Sequence, residues 1–323
     1  MNYIAVDFEW NQNPYGKEAG NKRLPFEIIE IGAVKLDEHA KIIDRFDAVI
    51  CPRVYKTLHW LTTEMTGFTE ESLSKGVPFN QAALDFLLWC GEDYMLCTWG
   101  NLDLLEFQRN LKYYKILDLL EGPVTYLNLQ KIFKKFYSRE HAVCALETAV
   151  DFFGIKKDKV FHRAIDDAVY TAQIFEKMDR KKVLDNYTVD YYQYPTLRKD
   201  EIQLYYSDYS KYISRGFRTK EAAMGDKKVI QVCCYRCRQE AERKVDWFAS
   251  KTRNHYCIAY CPIHGYLRAK IKLKKTDDNK VIAIKTVRPA GEEVIRKILE
   301  IKKDVTQKRR ERRSHGDKES GDL

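Results

Sequence analysis

The sequence lacks both a long apolar run and a recognisable leader segment. No stretch approaches the roughly 18 consecutive apolar residues of a membrane-spanning helix, so we expect no membrane partner. The chain enters a strand-like pattern at Tyr3, without the basic segment, apolar core and cleavage site of a secretory signal. No internal repeat is visible. These absences predict a cytoplasmic protein, in which clustered cysteines bind metal more often than they form disulfides.

The composition predicts a folded chain of two parts with opposite charge. Hydrophobic residues make up 45% of the 323 residues and aromatic residues 13%, enough for a sizeable core, and the length suits two domains. Residues 1–180 hold 22 Lys and Arg against 27 Asp and Glu, whereas the remaining 143 residues hold 34 against 20. An acidic part for cations and a basic part for polyanions would suit a nucleic-acid enzyme, but a solvated basic surface explains the same charges.

Hydrophobic periodicity predicts a mixed α/β domain at the N-terminus. Three closely spaced strand patterns suggest an antiparallel meander, and after them a short buried strand alternates with helical patterns. We expect strands over residues 3–10, 27–36, 42–50 and 94–99, and helices over residues 79–90, 101–114, 127–137, 143–153 and 163–178. This order implies a mixed sheet flanked by helices.

Shifts in composition divide the rest of the chain. After a first domain at residues 1–180, residues 181–228 form a connector rich in tyrosine, whose rings we expect to pack against a neighbouring domain rather than to stack on bases. Residues 229–290 combine cysteines with alternating strand patterns and predict a small β module. Residues 291–323 form a basic tail with a helical pattern, whose end we expect to be disordered.

Two groups of carboxylates stand where strands end. Asp7 and Glu9 close the first strand and, as alternate residues, project from the same face. Neighbouring carboxylates repel each other, and a divalent cation removes that repulsion. Asp103 lies in the first turn of a helix that follows the short buried strand. Taken singly, these acids are better explained as solvated strand ends or as a partner of the helix dipole.

A third group opens the last helix of the first domain. It consists of His162 followed by the adjacent acids Asp166 and Asp167. Apolar residues flank both acids along the helix, so periodicity does not decide which of the two faces a site.

In order and spacing, these motifs resemble the DEDDh exonucleases, which share the ribonuclease-H-like fold of polymerase proofreading subunits and ribonuclease T. The resemblance covers about residues 1–180 and implies a mixed five-stranded sheet flanked by helices. The family spacing of five residues after His162 selects Asp167, and Asp166 then has a surface or capping role. Residues 25–33 resemble the branch that includes the histone-mRNA and RNA-interference-limiting exonucleases, and residues 61–68 resemble its loop near the terminal nucleotide.

The resemblance implies hydrolysis of phosphodiester bonds with two divalent ions, Mg²⁺ or Mn²⁺, about 3.5–4 Å apart. Asp7 would bridge both ions. Glu9 and Asp167 would hold the ion that activates water, and Asp103 would support the ion that takes up charge on the leaving oxygen. His162 would be the general base, because a histidine exchanges protons near neutral pH. The implied substrate is the 3′ end of single-stranded nucleic acid, with RNA favoured over DNA.

A cysteine cluster in residues 229–290 predicts one structural zinc ion. A Cys-x-x-Cys pair and a Cys-x-x-His pair, separated by 23 residues of strand-forming sequence, look like a zinc ribbon with four ligands around one metal. The proposed ligands are Cys234, Cys237, Cys261 and His264. Cys233 and Cys257 compete as ligands, but Cys257 lies in a strand-like run and is left out. Reduced, partly buried thiols are the alternative.

The strand after this cluster is basic on one face. Arg268, Lys270, Lys272 and Lys274 alternate with apolar residues, so their side chains share a face that could follow phosphates. A solvated face explains the pattern nearly as well.

Three functions fit the sequence. The leading one is a 3′-to-5′ exonuclease of single-stranded RNA, and a DNA repair or proofreading exonuclease is the alternative within the same enzyme class. A catalytically silent nucleic-acid-binding protein on the same fold is the third. It is disfavoured because all five chemical positions are filled. The sequence identifies no protein partner.

Overall fold

The computed structural model describes residues 1–138 and 144–319. The chain divides into two compact units, Met1–Tyr192 and Gln193–Leu323. Within the described ranges we find no helix that combines the length and the apolar character required to cross a bilayer.

The N-terminal unit is built on a mixed sheet, which has six strands in the order β3-β2-β1-β4-β5-β6 among the described residues. The strands are β1 (Asn2–Asn11), β2 (Glu27–Leu36), β3 (Ile42–Val49), β4 (Tyr94–Thr98), β5 (Thr125–Asn128) and β6 (Thr188–Val189). Strands β1 to β3 form the predicted antiparallel meander, whereas β4 is parallel to both β1 and β5. The predicted mixed α/β architecture is confirmed.

Helices cover both faces of this sheet. They are α1 (Trp60–Thr66), α2 (Glu70–Ser74), α3 (Phe79–Cys90), α4 (Leu102–Tyr113), α5 (Leu129–Phe136), α6 (Leu146–Phe152), α7 (Ala164–Lys177) and α8 (Arg180–Leu184). Helix α5 begins two residues later than predicted, because Asn128 caps it by accepting a hydrogen bond of 2.8 Å from the backbone N–H of Lys131. The predicted helix over residues 143–153 starts at a residue outside the described ranges.

The sheet has one strand more than the five we expected. Strand β6 is only two residues long and pairs Val189 with Thr125 at the edge of the sheet. A strand of this length carries no alternating pattern, so periodicity could not reveal it.

The C-terminal unit contains an antiparallel sheet, which has six strands in the order β7-β8-β12-β11-β10-β9 in the part of the unit that is described. The strands are β7 (Ile202–Tyr205), β8 (Ser210–Ile213), β9 (Glu242–Ala249), β10 (Asn254–Cys261), β11 (Gly265–Lys275) and β12 (Val281–Pro289). The helices are α9 (Lys220–Gly225), α10 (Lys227–Ile230) and α11 (Glu292–Glu319).

This unit is larger than the β module predicted at residues 229–290. Strands β7 and β8 and helices α9 and α10 come from the range that we predicted to be a connector, residues 181–228. Tyr206, Tyr209 and Tyr212 of that range are buried, and the rings of Tyr206 and Tyr209 stack with centroids 4.3 Å apart. The tyrosines therefore belong to folded structure, which the mixture of rings and charges concealed. The backbone of the tail, for which we expected disorder at the end, is helical to Glu319.

The alternation of side chains along β1 separates the core from the acids. Ala5 packs in the cluster that includes the buried residues of α7, whereas Val6 packs on the opposite face in the cluster with α3 and α4. Asp7 and Glu9 continue the alternation of Ala5. The apolar face of β1 that α7 covers therefore becomes acidic at the end of the strand.

Gly32 of β2 lies directly against the start of α7. A Cβ atom at this position would stand 2.0 Å from the backbone carbon of Ala164 and 2.0 Å from the backbone nitrogen of Ile165. Asp7 is paired with Gly32 across the two strands. The absence of a side chain at residue 32 thus allows the start of α7 to lie beside the first carboxylate.

We predict that Gly32→Ala lowers the free energy of unfolding by about 3 kcal/mol or more, because the added methyl group meets backbone atoms that cannot rotate away. Urea denaturation followed by circular dichroism measures the change. Gly225→Ala is the matched control, because a Cβ at Gly225 meets nothing within 4 Å. Equal stability of the Gly32→Ala variant and the wild-type protein would contradict the close contact between β2 and α7.

Candidate active site

The predicted acids meet where two parallel strands end and α7 begins. Asp7 and Glu9 lie in β1, and Asp103 lies in the first turn of α4, which follows the neighbouring parallel strand β4. Asp167 lies in the first turn of α7, and His162 just precedes that helix. The carboxyl ends of parallel strands face one edge of a sheet, which is where ligands bind in open α/β sheets.

The structure brings Glu9, His162 and Asp167 together. Each offers one oxygen or ring nitrogen, and these three atoms lie within 4.8 Å of one another. Asp7 is coupled electrostatically to the same group. Burial raises the pKa of Asp7 well above its ordinary range, and the negative charges of Asp103, Glu9 and Asp167 raise it further. Four acids thus share one electrostatic environment.

The other three acids also hold protons more tightly than usual. Burial raises the pKa of Glu9 to about 8, and the charges of Asp167 and Glu30 add to this. Burial raises the pKa of Asp103 to about 7, with a further contribution from Asp167. The pKa of Asp167 is raised to about 7, first by burial and then by Asp166 and Glu30. A divalent cation would remove this repulsion, so the acids fit a metal.

Asp167 has an unused oxygen. Its Oδ2 accepts a hydrogen bond of 3.1 Å from the backbone N–H of His162, whereas its Oδ1 is buried and has no hydrogen-bond partner among the described residues. An unsatisfied buried carboxylate oxygen is costly, and a bound cation satisfies it. Asp166 is half-buried and lies outside the group formed by Glu9, His162 and Asp167. Asp167, the acid to which the family spacing points, is thus the one that lies beside Glu9 and His162.

Glu30, which no sequence motif singled out, holds the start of α7 against the sheet. Glu30 is completely buried in β2 and stands opposite Glu9 in the strand register. Its carboxylate accepts hydrogen bonds from the Arg163 guanidinium, at 2.6 Å from Nη2, and from the backbone N–H of Ala164, at 2.9 Å. A glutamate within an apolar strand was the signal available in the sequence, because such an acid is buried only with a partner.

These bonds flank an uncommon backbone conformation. His162 adopts a left-handed φ of 68°, which a residue with a side chain seldom takes and which costs about 1 kcal/mol or more. The turn is held on its far side by the contacts of Arg163 and Ala164 with Glu30. The fold therefore fixes the histidine against a local preference of its backbone.

The four predicted zinc ligands converge in the C-terminal unit. Their ligand atoms lie within 4.8 Å of one another, and the residues are Cys234, Cys237, Cys261 and His264. The Sγ of Cys234 lies 3.5 Å from Nδ1 of His264, the Sγ atoms of Cys237 and Cys261 are 3.6 Å apart, and the Sγ of Cys261 lies 3.7 Å from Nδ1 of His264. Zinc bonds of about 2.0–2.3 Å give tetrahedron edges of roughly 3.3–3.8 Å. The cluster therefore fits a zinc ion.

The two competing cysteines lie outside this cluster. Cys257 is buried in β10 with its pKa raised to about 12 by burial, and Cys233 has its pKa raised, mainly by burial as well. At Cys261 burial also disfavours the thiolate, but hydrogen bonds from the backbone N–H groups of His264 and Ile263 bring the pKa down to about 6. A thiolate is the form that binds metal.

Comparisons with known proteins agree with this geometry. Residues 18–175 match the family model for RNase T, described as "Exonuclease". A Bacillus subtilis protein named "Probable 3'-5' exonuclease KapD" is 25% identical over 185 residues, and the alignment covers 55% of this chain and 85% of that protein. A Mus musculus protein named "ERI1 exoribonuclease 2" is 26% identical over 306 residues, covering 84% of this chain and 41% of that protein.

A solved structure shares the fold of the N-terminal unit. It is the nuclease domain of "3'hExo, a DEDDh family member, bound to rAMP", with a TM-score of 0.50 and 21% identity over 59% of this chain and 96% of that chain. The fold is therefore that of a ribonuclease-H-like nuclease, as predicted. Residues 18–175 match an exonuclease domain, as the sequence analysis predicted.

We expect Mg²⁺ to stabilise the protein more at about pH 8.5 than at about pH 6. Raised pKa values mean that the folded chain binds these protons more tightly than the unfolded chain, so the metal-free protein loses stability as the pH rises from about 4 to about 8. At the lower pH, protons compete with the cation for the carboxylates. The shift of the melting temperature on addition of Mg²⁺ measures the difference. An equal shift at both pH values would contradict a shared proton and metal site.

Proposed function

We propose that the N-terminal unit hydrolyses phosphodiester bonds from the 3′ end of single-stranded nucleic acid, with RNA as the preferred substrate. The observation that carries the proposal is the convergence of Glu9, Asp167 and His162, in the electrostatic environment of Asp7 and Asp103, on an exonuclease domain. The preference for RNA is supported by the similarity to a relative named as an exoribonuclease.

The four acids are the proposed ligands of two divalent ions, Mg²⁺ or Mn²⁺. Bound there, such ions activate the attacking water and stabilise the negative charge on the leaving oxygen. Asp7 is proposed to contact both ions, Glu9 and Asp167 the one on the side of the nucleophile, and Asp103 the other. Two observations support this assignment: Oδ1 of Asp167 has no hydrogen-bond partner among the described residues, and the pKa values of Asp7 and Asp167 are raised. Buried acids that repel one another bind a cation favourably.

His162 is the proposed general base. Its ring has a nitrogen within 4.8 Å of carboxylate oxygens of Glu9 and Asp167, and the residue is exposed. A histidine in this position can take the proton from the attacking water and pass it to solvent. The hydrogen bond from the His162 N–H to Asp167 fixes the base relative to the acid cluster.

An apolar surface near the end of β1 is suited to the terminal nucleotide. Helix α1 exposes Trp60, Leu61 and Met65, with Trp60 66% exposed. The Thr62 hydroxyl of the same helix donates a hydrogen bond of 3.4 Å to the carbonyl oxygen of Trp10, the residue after Glu9. Bases stack on such apolar and aromatic side chains. We therefore propose that α1 holds the last base of the strand beside the acids.

Substitutions in the acid cluster test the catalytic assignment. We expect Asp7→Asn and Asp103→Asn to abolish turnover, and His162→Ala to reduce kcat by about 10²- to 10⁴-fold while Mg²⁺ binding persists. Asp166→Asn is the matched control, because its neighbour Asp167 lies in the cluster and Asp166 does not. Kinetics on a labelled RNA oligomer measure the effects, and calorimetry measures Mg²⁺ binding. Full activity of Asp7→Asn would refute the assignment.

The polarity and the substrate need a separate experiment. Purified protein is incubated with 5′-labelled and 3′-labelled oligomers of one sequence, as RNA and as DNA, with Mg²⁺ or with EDTA. We expect a ladder of shortened products from the 5′-labelled RNA, immediate release of label from the 3′-labelled RNA, slower decay of the DNA and no reaction in EDTA. Faster decay of the DNA would favour the DNA-directed alternative.

We further propose that the cysteine cluster holds one structural zinc ion. The distances of 3.5 to 3.7 Å between the sulfur and nitrogen atoms of the proposed ligands support a tetrahedral zinc site. Elemental analysis of the full chain should find one zinc per molecule, and Cys237→Ser should lose most of it. Cys233→Ser is the control, since Cys233 lies outside the cluster, and should keep the zinc. Wild-type protein without zinc, or equal loss in both variants, would contradict the proposed ligands.

A further inference from the structure

The C-terminal sheet carries a group of basic side chains that the proposed nuclease site does not use. This basic sheet face is defined by Arg268, Lys270, Lys272 and Lys274 of β11 and Arg288 of β12. The residues between those on β11, such as Ala269 and Ile271, are fully buried in the core of the unit. The basic side chains therefore project from the opposite side of the sheet.

Positive charges on this face are close enough to perturb each other. Arg268 stands directly opposite Arg288 in the register of β11 and β12. The pKa of Lys272 is lowered, chiefly by the charge of Lys274, then by burial and by Lys270. Like charges in adjacent positions of a sheet cost stability. At the edge of the face, Oδ2 of Asp208 lies 4.0 Å from Nη1 of Arg288, and its negative charge offsets part of the positive charge of the face.

Two aromatic rings continue the same face beside the lysines. Phe248 of β9, Tyr256 of β10 and Lys270 of β11 occupy consecutive paired positions across three strands. The two ring centroids are 6.3 Å apart, and the Lys270 ammonium lies 5.8 Å from the centre of the Tyr256 ring. Both rings are half-buried.

Helix α11 packs on a neighbouring part of the same sheet face. Its residues Ile295 and Leu299 line a cavity together with Val245 of β9 and Ile258 of β10. The basic residues of β11 and β12 do not line that cavity. Ile258 stands directly opposite Arg268 in the register of β10 and β11, so the cavity under the helix lies beside the charged part of the same sheet face.

We propose that the basic sheet face binds single-stranded RNA, the strand that the N-terminal unit trims. The basic side chains contact the phosphates, and Phe248 and Tyr256 stack on bases. Alternate residues of a strand are about 6.8 Å apart, a spacing similar to that of successive phosphates in an extended single strand. Interleaved cations and rings are the features by which proteins bind single strands without reading their sequence.

The charges of the face and of the partner are complementary. A polyanion relieves the repulsion between the arginines and among the lysines, and it releases its own counterions on binding. The inference rests on the proposed function in one respect, the choice of RNA as the strand. Because both units belong to one chain, a strand held on the sheet has a raised local concentration for the nuclease unit.

The test is equilibrium binding of the full chain to a fluorescent single-stranded RNA in EDTA, where no cleavage occurs. The variant Lys270→Glu/Lys272→Glu should bind at least about tenfold more weakly. The slope of log K against log salt should decrease by about 1.4, since each phosphate contact to a single strand contributes roughly 0.7. Tyr256→Ala should weaken binding about tenfold with little change in that slope.

A matched control distinguishes this face from general attraction to a basic protein. Arg218→Glu/Lys227→Glu makes the same change in net charge at two exposed residues outside the strands, and it should bind RNA like the wild-type protein. Unchanged affinity and salt slope in the Lys270→Glu/Lys272→Glu variant would overturn the inference. Equal weakening in both double variants, or a blunt duplex bound as tightly as the single strand, would overturn it as well.

Loss of RNA binding and loss of RNA cleavage can be measured separately. The double variant should keep the wild-type kcat on a dinucleotide, whose single phosphodiester offers no strand for the sheet face to hold, while its KM for a long RNA rises. Loss of dinucleotide cleavage in the double variant would contradict a role confined to strand binding. A wild-type chain that binds RNA through this face but does not cleave it would refute the proposed nuclease function and leave the binding face intact.

Discussion

The N-terminal unit is organised around the mutual repulsion of acids that its fold forces together. Burial and neighbouring negative charges raise the pKa of Asp7, Glu9, Asp103 and Asp167, so each proton or cation that leaves the group makes the remaining charge more costly. Three features keep the acids in place. Strand β1 is paired with β2, Gly32 leaves room for the start of α7, and the buried Glu30 binds the start of α7 through hydrogen bonds. The repulsion therefore lowers stability at this edge, and a divalent cation bound by the acids would offset it.

Much of this could be predicted from the sequence, because the relevant residues lie close to strong local patterns. The alternation along residues 3–10 placed Asp7 and Glu9 on one face, and the helical spacing over residues 79–90 gave the bounds of α3 without error. The choice between Asp166 and Asp167 depended on family spacing, because apolar residues flank both. The contact of Glu30 with α7 could not be predicted, because its partner Arg163 lies 133 positions away and no local pattern reveals such a partner.

The C-terminal unit shows a different limit of sequence patterns. The cysteine pairs predicted a cluster because each pair is local, and only the meeting of the two pairs depends on the fold. The boundaries of the unit could not be predicted, since β7 and β8 are only four residues long and join the sheet through the pairing of β7 with β8 and of β8 with the distant strand β12. The unit gathers positive charge on one sheet face as the N-terminal unit gathers negative charge at one sheet edge. Both arrangements would gain stability from a partner of opposite charge.

The central claim is that the side chains of Asp7, Glu9, Asp103 and Asp167 hold divalent cations in common. Diffraction from crystals grown with Mn²⁺, recorded at a wavelength where manganese scatters anomalously, tests this directly. We predict anomalous peaks at bonding distance from carboxylate oxygens of Asp7 and Asp167, with Glu9 and Asp103 in the same coordination group. Well-ordered acids without an anomalous peak, or carboxylates pointing away from one another, would contradict it.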